Sequence, residues 1–492
     1  MSLSRDAARG ALVTLVGQWA RFGVQLLSAV VMAHLLPPSD FGLVVMVTAV
    51  GGIAQILGDF GFGMATIQAP LVTRAQRSNV FWLNVALGVI LAGIVYVGAH
   101  ALAAMYHDAR IVGIARVISI VFFLNSAASQ FRSELSRNLR FTWVSIADLA
   151  GQVVALALGV VMALTGFGYW ALVAQPVALA SVVLVIVVVA SGFVPQLPNR
   201  SDISSLFRFG RDNMIVLTIT YVCQNIDTIL LGRNFGSTIA GIYGKAYQLI
   251  MLPLFQILAP LSRVVVSVLS RVEEKLRFQQ YVERIYLLVS YTLTAALAVL
   301  GAVVFPFVEI VLGPQWNFAA RIIQFMLLGG VFETLSYPCT WIFLSRGRAN
   351  DLLRATLATR PIMVLLIIIA AQFGAVQTSL AVAIGFVLNW LAFTFWGLPR
   401  VGVEVTPILR IVARPFLVYG IMLAVLSPIA WAHGVWAHPW LQLGVVLTCA
   451  AGFNGVAYLA LPFYRRDLRT LVLTLAAGRG ARPASPSAAS VS

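Results

Sequence analysis

Charge is what this chain has least of. Only 10% of its 492 residues are Asp, Glu, Lys or Arg, against about 25% in soluble proteins. That shortfall excludes a soluble enzyme or a peripheral protein, which at this length would form two to four domains. Cysteine is nearly absent too. Cys223, Cys339 and Cys449 lie singly inside apolar runs, which excludes a disulfide framework or a CxxC metal site and leaves them as small hydrophobes. There is no HExxH, no acidic pair at metal spacing, no GxSxG and no glycine-rich phosphate cradle followed by Lys. The sequence thus offers no catalytic residue, no metal ligands and no cofactor site, and the chain is expected not to be an enzyme. The longest polar loop, near 264–284, is too short for a soluble domain. A membrane-embedded glycosyltransferase, polymerase or scaffold fits poorly: the first two want acidic or Arg/His clusters on a large loop, and a scaffold needs no polar stripes.

What is present is apolar residue, 60% of the chain, in runs of roughly 20, each enough to cross about 30 Å of hydrocarbon. The runs predict an all-α polytopic membrane protein of about 14 transmembrane helices. The first six spans are 11–35, 41–65, 79–100, 111–131, 141–164 and 168–193. The next six are 206–232, 237–262, 285–308, 318–344, 353–372 and 376–398, and a final pair occupies 410–432 and 440–463. The first run is longer than a signal h-region and no small-x-small site closes it, so it reads as a retained helix. The Ala/Gly/Pro/Ser tail after Ala476 cannot bury a core and reads as disordered.

A net charge of +16 would suggest nucleic acid in a soluble protein; here the positive-inside rule accounts for it and no nucleic-acid partner is expected. Assigning alternate loops to one side collects 27 of the 33 basic residues there, leaving Arg21, Arg110, Arg116, Arg233, Lys245 and Arg321. The rule then puts both termini in the cytoplasm. All five histidines, His34, His100, His107, His433 and His438, fall at or near the outer ends. A pH sensor is one reading of that placement; interfacial polar residues beside an aromatic belt of Trp431, Trp436 and Trp440 is the simpler one.

The chain also matches itself at an offset of about 199 that drifts upward. His34 to Val44 falls on Arg233 to Tyr243, and Gln25 on Gln224. Further on, Ala115–Ile118 meets Ala320–Ile323, Arg140 meets Arg348 and Gly166 meets Gly374. Six helices per unit preserve orientation, so the halves are expected to be parallel repeats. The reading is an N-lobe over 1–198 (helices 1–6), a C-lobe over 199–400 (helices 7–12), two added helices over 401–465 and a disordered cytoplasmic tail over 466–492.

A charge at the bilayer centre costs about 2.5–3.5 kcal/mol on insertion scales, so Arg21, Asp59, Asp227 and Lys245 are expected to face a partner or a wet cavity. Gln18, Arg21, Gln25 and Ser28 share one stripe of the first helix. Asn213, Thr220, Gln224 and Asp227 form a similar stripe on the seventh, and the repeat superposes Ser28 on Asp227. Thr48, Gln55 and Asp59 add to it from the second helix, and Tyr243, Lys245, Gln248 and Gln256 from the eighth. Equivalent faces in both halves suit a cavity between lobes. The turn near Gly236 brings Asp227 and Lys245 to similar depth, as an ion pair, a shared ligand site or a polar contact that only holds helices together. By the same reckoning Arg21 and Asp59 come within about one turn. Asp148, Glu309, Glu333, Arg116 and Arg321 read as snorkelling residues. Gly51, Gly52 and Gly58, with Pro253 and Pro260, mark where helices two and eight are loosened. Cations in such a cavity suit a phosphate or carboxylate.

Several segments carry a resemblance. Ala33-His34-Leu35-Leu36-Pro37-Pro38-Ser39-Asp40-Phe41-Gly42 resembles the A-R-L-L-x-P-x-D-F-G signature of bacterial polysaccharide exporters. Gln224-Asn225-Ile226-Asp227, Leu231-Gly232-Arg233, Gly241-Ile242-Tyr243-Gly244-Lys245-Ala246-Tyr247-Gln248-Leu249 and Leu252-Pro253 are similar to a second signature. Leu312-Gly313-Pro314-Gln315-Trp316 resembles a third, and Gly166-Phe167-Gly168-Tyr169-Trp170-Ala171-Leu172 another. Together they span roughly residues 10 to 400 and resemble the Wzx-like lipopolysaccharide and exopolysaccharide flippases of the multidrug/oligosaccharidyl-lipid/polysaccharide exporter superfamily. The resemblance implies two lobes, alternating access and a lipid-linked (undecaprenyl-pyrophosphate) oligosaccharide as cargo in a bacterial inner membrane. It implies a cationic cavity in which Arg21, Gln25, Gln224, Asn225, Lys245 and Gln248 meet the cargo, with Asp59 and Asp227 as ion-coupling or ion-pair candidates. His34 stands where the first signature has Arg, and Lys245 where the family often has Arg, which keeps charge but loses the bidentate fork. Partners implied are the lipid-linked oligosaccharide, membrane lipid, and a polysaccharide polymerase and chain-length regulator. The alternative is a multidrug or small-solute exporter of the same superfamily.

Overall fold

A computed structural model describes residues 2–59, 73–198, 204–431, 436 and 438–480. Every regular element among them is helical. The first six helices are α1 (Ser2–Leu35), α2 (Pro38–Asp59), α3 (Arg74–Tyr106), α4 (Arg110–Arg137), α5 (Phe141–Leu164) and α6 (Trp170–Ser191). The helical stretch Ser204–Leu269 is interrupted at Gly236 (φ 80°, ψ −176°), a region that only glycine enters without strain. Its arms are α7 (204–235) and α8 (237–269). Then follow α9 (Lys275–Ala302), α10 (Val304–Val311), a 3₁₀ turn (Pro314–Trp316), α11 (Asn317–Ser345), α12 (Ala349–Ala370) and α13 (Ala375–Leu391). The chain closes with α14 (Val405–Trp431), α15 (Pro439–Ala460) and α16 (Pro462–Gly480).

The chain is an all-α polytopic membrane protein. Among the described residues eleven helices are long and apolar enough to cross a membrane, the stretch from Thr220 to Leu269 counted as one, and Pro38–Ile53 forms a shorter apolar helix. Among the described residues helix overlaps the expected spans, which is compatible with fourteen of them, because backbone in hydrocarbon must satisfy its own hydrogen bonds. One expectation is corrected at the end of the chain. The residues read as a disordered tail from 466 begin as α16, whose Tyr464, Leu468 and Leu471 pack onto a core formed with α9, α14 and α15.

Two pairs of positions that the repeat superposes have similar backbone. Leu139 (φ 56°) and Gly347 (φ 66°) both adopt left-handed conformations at helix C-termini. The amide of Arg140 then bonds Leu135 O at 2.8 Å, and that of Arg348 bonds Phe343 O at 2.9 Å. The next bonds inward, Leu139 to Ser136 O and Gly347 to Leu344 O, match as well. Gly166 and Gly374, also paired by the repeat, both have positive φ.

The chain divides into two compact units. The first comprises Met1–Ala246, Val311–Ala319 and Ile367–Thr378; the second comprises Tyr247–Ile310, Ala320–Leu366 and Ser379–Ser492. In the first, Leu43, Met46 and Val47 of α2 pack with Ile111, Ile114 and Ile118 of α4 and with Tyr106 of α3. Lipid is as apolar as any side chain, so close approach rather than hydrophobic burial drives such packing, and small residues mediate it. A Cβ on Gly17 of α1 would lie 2.8 Å from Ser145 Cβ of α5.

Candidate functional site

The Gly17–Ser145 approach sets the geometry one turn further along. Arg21 follows Gly17 by four residues and Asp148 follows Ser145 by three, which brings the two side chains face to face. Arg21 Nη1 donates to Asp148 Oδ2 at 3.3 Å. Arg132 of α4 donates to the other carboxylate oxygen. Asp148 thus holds two guanidiniums from two helices. The Arg21 and Arg132 side chains keep 39% and 37% of their exposure, so the cluster is open. Arg21 lies fourteen residues from the end of α1 at Leu35, about 21 Å at 1.5 Å per residue, well inside the membrane-spanning length.

Asp148 was expected to snorkel; it lies half-buried in an ion-pair triad instead. The signal available in the sequence is the stripe Ser145, Asp148, Gln152 on α5, spaced three and four. Glu333 and Arg116 also have partners at depth: Arg360 approaches Glu333 at 4.0 Å, and Arg116 stacks over the Tyr96 ring at 5.0 Å.

The second polar group is at the α7–α8 hairpin. Asp227 is buried; its carboxylate accepts from Tyr243 Oη at 2.7 Å and from the Thr228 amide at 2.6 Å. Lys245 is also buried, with its ammonium 4.3 Å from the centroid of the Phe41 ring, a cation–π contact. Lys245 lies nine residues past Gly236, about 13 Å along α8, so it is shallower than Arg21 and has different neighbours. Asn225 donates to Tyr221 O at 2.9 Å, Gln224 is exposed, and Gln25 and Gln248 are half-buried. The side chain of Asp59, and with it the expected approach to Arg21, lies outside the described residues, as do those of Gln55 and Asn213.

The three principal signature segments converge on one seam within the first unit. A Cβ on Gly42 would sit 1.6 Å from Ser237 O, and one on Gly241 would sit 2.1 Å from Pro38 O. Backbone therefore touches backbone where the α1–α2 turn meets the α7–α8 turn. Trp316 Nε1 and Gln315 Nε2 both donate to Ala33 O, at 3.0 and 2.8 Å, and Trp316 meets Phe41 edge-on. One turn deeper, Tyr221 Oη bonds Thr48 O at 2.9 Å and fills the space left by Gly52. Gly52, expected to loosen α2, is a close-packing site. In the second unit, Leu297, Gly301, Leu327, Val331, Phe416 and Tyr419 line a mainly apolar cavity of about 390 Å³.

Membrane-length apolar helices with an Arg–Asp–Arg cluster between them define the class as a multi-pass helical membrane protein. The chain belongs to the polysaccharide biosynthesis protein family, whose sequence profile matches residues 31–321. It is 26% identical to the teichuronic acid biosynthesis protein TuaB of Bacillus subtilis over 370 residues, 71% of this chain and 73% of that one. It is 22% identical to the lipopolysaccharide biosynthesis protein WzxC of Escherichia coli over 398 residues, 79% of each chain. Its fold is similar to that of the lipid II flippase MurJ in an inward closed conformation, with a TM-score of 0.69 at 12% identity, covering 92% of this chain and 99% of that one.

Proposed function

We propose that the chain is a flippase that carries an undecaprenyl-pyrophosphate-linked oligosaccharide from the inner to the outer leaflet of a bacterial inner membrane. Turnover is by alternating access around a cationic cavity, and both termini lie in the cytoplasm. The reading is supported by membership of the polysaccharide biosynthesis family and by the fold shared with a lipid flippase. The observation that carries it is the Arg21–Asp148–Arg132 triad. Two guanidiniums from two helices meet one carboxylate between them.

Asp148 acts as a resident counter-ion. It keeps the arginines soluble in the empty cavity, and an arriving diphosphate, which accepts bidentate bonds from both forks, takes its place. No bond to the cargo is made or broken. Gln25, Gln224, Asn225 and Gln248 are the candidates for contact with the sugar or phosphate elsewhere on the path, Lys245 is buried against Phe41 and does not reach it in this state, and Asp59 and Asp227 are the coupling candidates. A multidrug exporter of cations is the competing reading; an arginine pair at this depth repels such cargo. Because polymer assembly consumes the flipped unit, a polymerase and a chain-length regulator are the expected functional partners.

The test is complementation of a strain lacking the chain. Arg21→Ala and Arg132→Ala should each abolish surface polysaccharide while immunoblots still find the protein in the membrane. Normal polymer from Arg21→Ala removes the triad from the mechanism.

A further inference from the structure

The second unit holds another polar hollow, of about 400 Å³, that the flipping reading does not use. Its walls include Glu283 and Arg284 of α9, Arg410 and Arg414 of α14, and Arg466 and Asp467 of α16. The carboxylates are committed. Arg414 donates to both oxygens of the buried Asp467, at 3.0 and 2.9 Å, and Tyr291 donates to it at 2.9 Å. Glu283 accepts from Gln279 at 2.9 Å. Arg466 reaches Asp467 only at 4.0 Å, and Arg284 and Arg410 have no acidic partner among the described residues. Four guanidiniums around two occupied carboxylates leave the hollow cationic.

Leu287, Pro407 and Ile411 complete its lining with apolar surface. Beyond the turn of α16 that packs on the core, Val472 and Leu473 are 65% and 68% exposed, and Leu459 at the end of α15 is 72% exposed. An amphipathic helix with arginines on one face and bare aliphatics beside them lies in the membrane interface. A free phosphate would use the arginines and leave the aliphatics unexplained; an amphiphile with a phosphate head and acyl chains uses both.

We propose that this hollow binds the headgroup of an anionic phospholipid in the leaflet on the side of the basic loops, apart from the Arg21–Asp148–Arg132 triad. The bound lipid ties α16 to α9 and α14, so that the docking of this terminal helix depends on membrane composition.

The experiment is native mass spectrometry of the purified full chain titrated with dioleoyl phosphatidylglycerol, with dioleoyl phosphatidylcholine and inorganic phosphate as separate probes. Phosphatidylglycerol should bind at least about tenfold tighter than phosphatidylcholine, and Arg284→Gln/Arg410→Gln should weaken it roughly thirtyfold, as expected for two arginines near an anionic headgroup. Arg277→Gln/Arg354→Gln removes equal charge from two side chains, in the first two turns of α9 and α12, that are 73% exposed and outside the hollow's lining, and should change affinity less than about twofold. An equal loss in both double variants means diffuse attraction and overturns the site. So do equal affinities for the two lipids, or displacement of phosphatidylglycerol by equimolar inorganic phosphate. Should the Arg284/Arg410 variant unfold, Gln280→Glu at the rim adds repulsion without touching the Asp467 network; unchanged affinity in that variant overturns the proposal as well. A chain that flips its cargo normally but fails these tests leaves the functional reading standing.

Discussion

At the scale of single residues, the polar groups that matter are those with partners from other helices. Asp148 joins α1, α4 and α5 through Arg21 and Arg132, and the counter-ion role makes opposite demands of its members. Asp148→Asn leaves two guanidiniums facing each other, so the melting temperature should fall while binding of an anionic headgroup is kept or tightened. Arg132→Gln should do the reverse, losing binding with little change in melting. Thermal scans paired with titration of a lipid-diphosphate analogue check this, and parallel losses in both assays for both variants would mean a structural clasp. At Asp227 the phenol of Tyr243 supplies a buried bond of 2.7 Å. Tyr243→Phe should cost about 1–3 kcal/mol, read as reduced stability to denaturant. Outside the membrane segments, Asp108 precedes α4, accepts from the Arg110 amide at 3.0 Å and from its guanidinium at 2.7 and 3.1 Å. The Arg110 bond holds this carboxyl below the usual range. A depressed carboxyl contributes stability above its unfolded pKa and loses it as pH falls through the folded value. Asp108→Asn should therefore narrow the stability difference between pH 7 and pH 3.

At the scale of elements, helix positions were legible and helix rotations were not. Twenty apolar residues in lipid satisfy their own backbone as a helix, so α5 coincides with its expected span, α6 and α11 lie within two residues of theirs at either end and α15 within three. The hairpin at Gly236 was legible too. Which stripe faces which neighbour depends on the rotation of each helix, and residues 127 apart in sequence, such as Arg21 and Asp148, announce nothing of their meeting. The expected pairing of Asp227 with Lys245 placed both at the right hairpin, yet Tyr243 and Phe41, the ring partners the structure gives them, read in the sequence as ordinary apolar or motif positions. Helix α16 was missed because its arginines and the Ala/Gly-rich end masked the spacing of Tyr464, Leu468 and Leu471. Gly236→Ala should cost on the order of 1–3 kcal/mol, since its φ/ψ lies where other residues are strained; a loss of under half that in thermal unfolding would mean the hairpin relaxes.

At the scale of the whole molecule, the basic loops and the repeat act together. The turns at Arg140 and Arg348 close their helices with the same pair of backbone bonds, and both carry basic residues. A green fluorescent protein fused after Ser492 should fluoresce and alkaline phosphatase fused there should be silent, with the opposite result for fusions in the 107–109 loop. Either pattern reversed would turn the molecule over. The seam where the α1–α2 and α7–α8 turns touch carries a different lesson. Gly42→Ala should destabilise the fold by about 1–3 kcal/mol or more, because its methyl would overlap Ser237 O. Main-chain atoms on both faces leave no side chain to exchange there. Elsewhere in the bundle one side chain can stand in for another of similar volume, but at this seam nothing larger than hydrogen fits, so any added carbon must push the two turns apart.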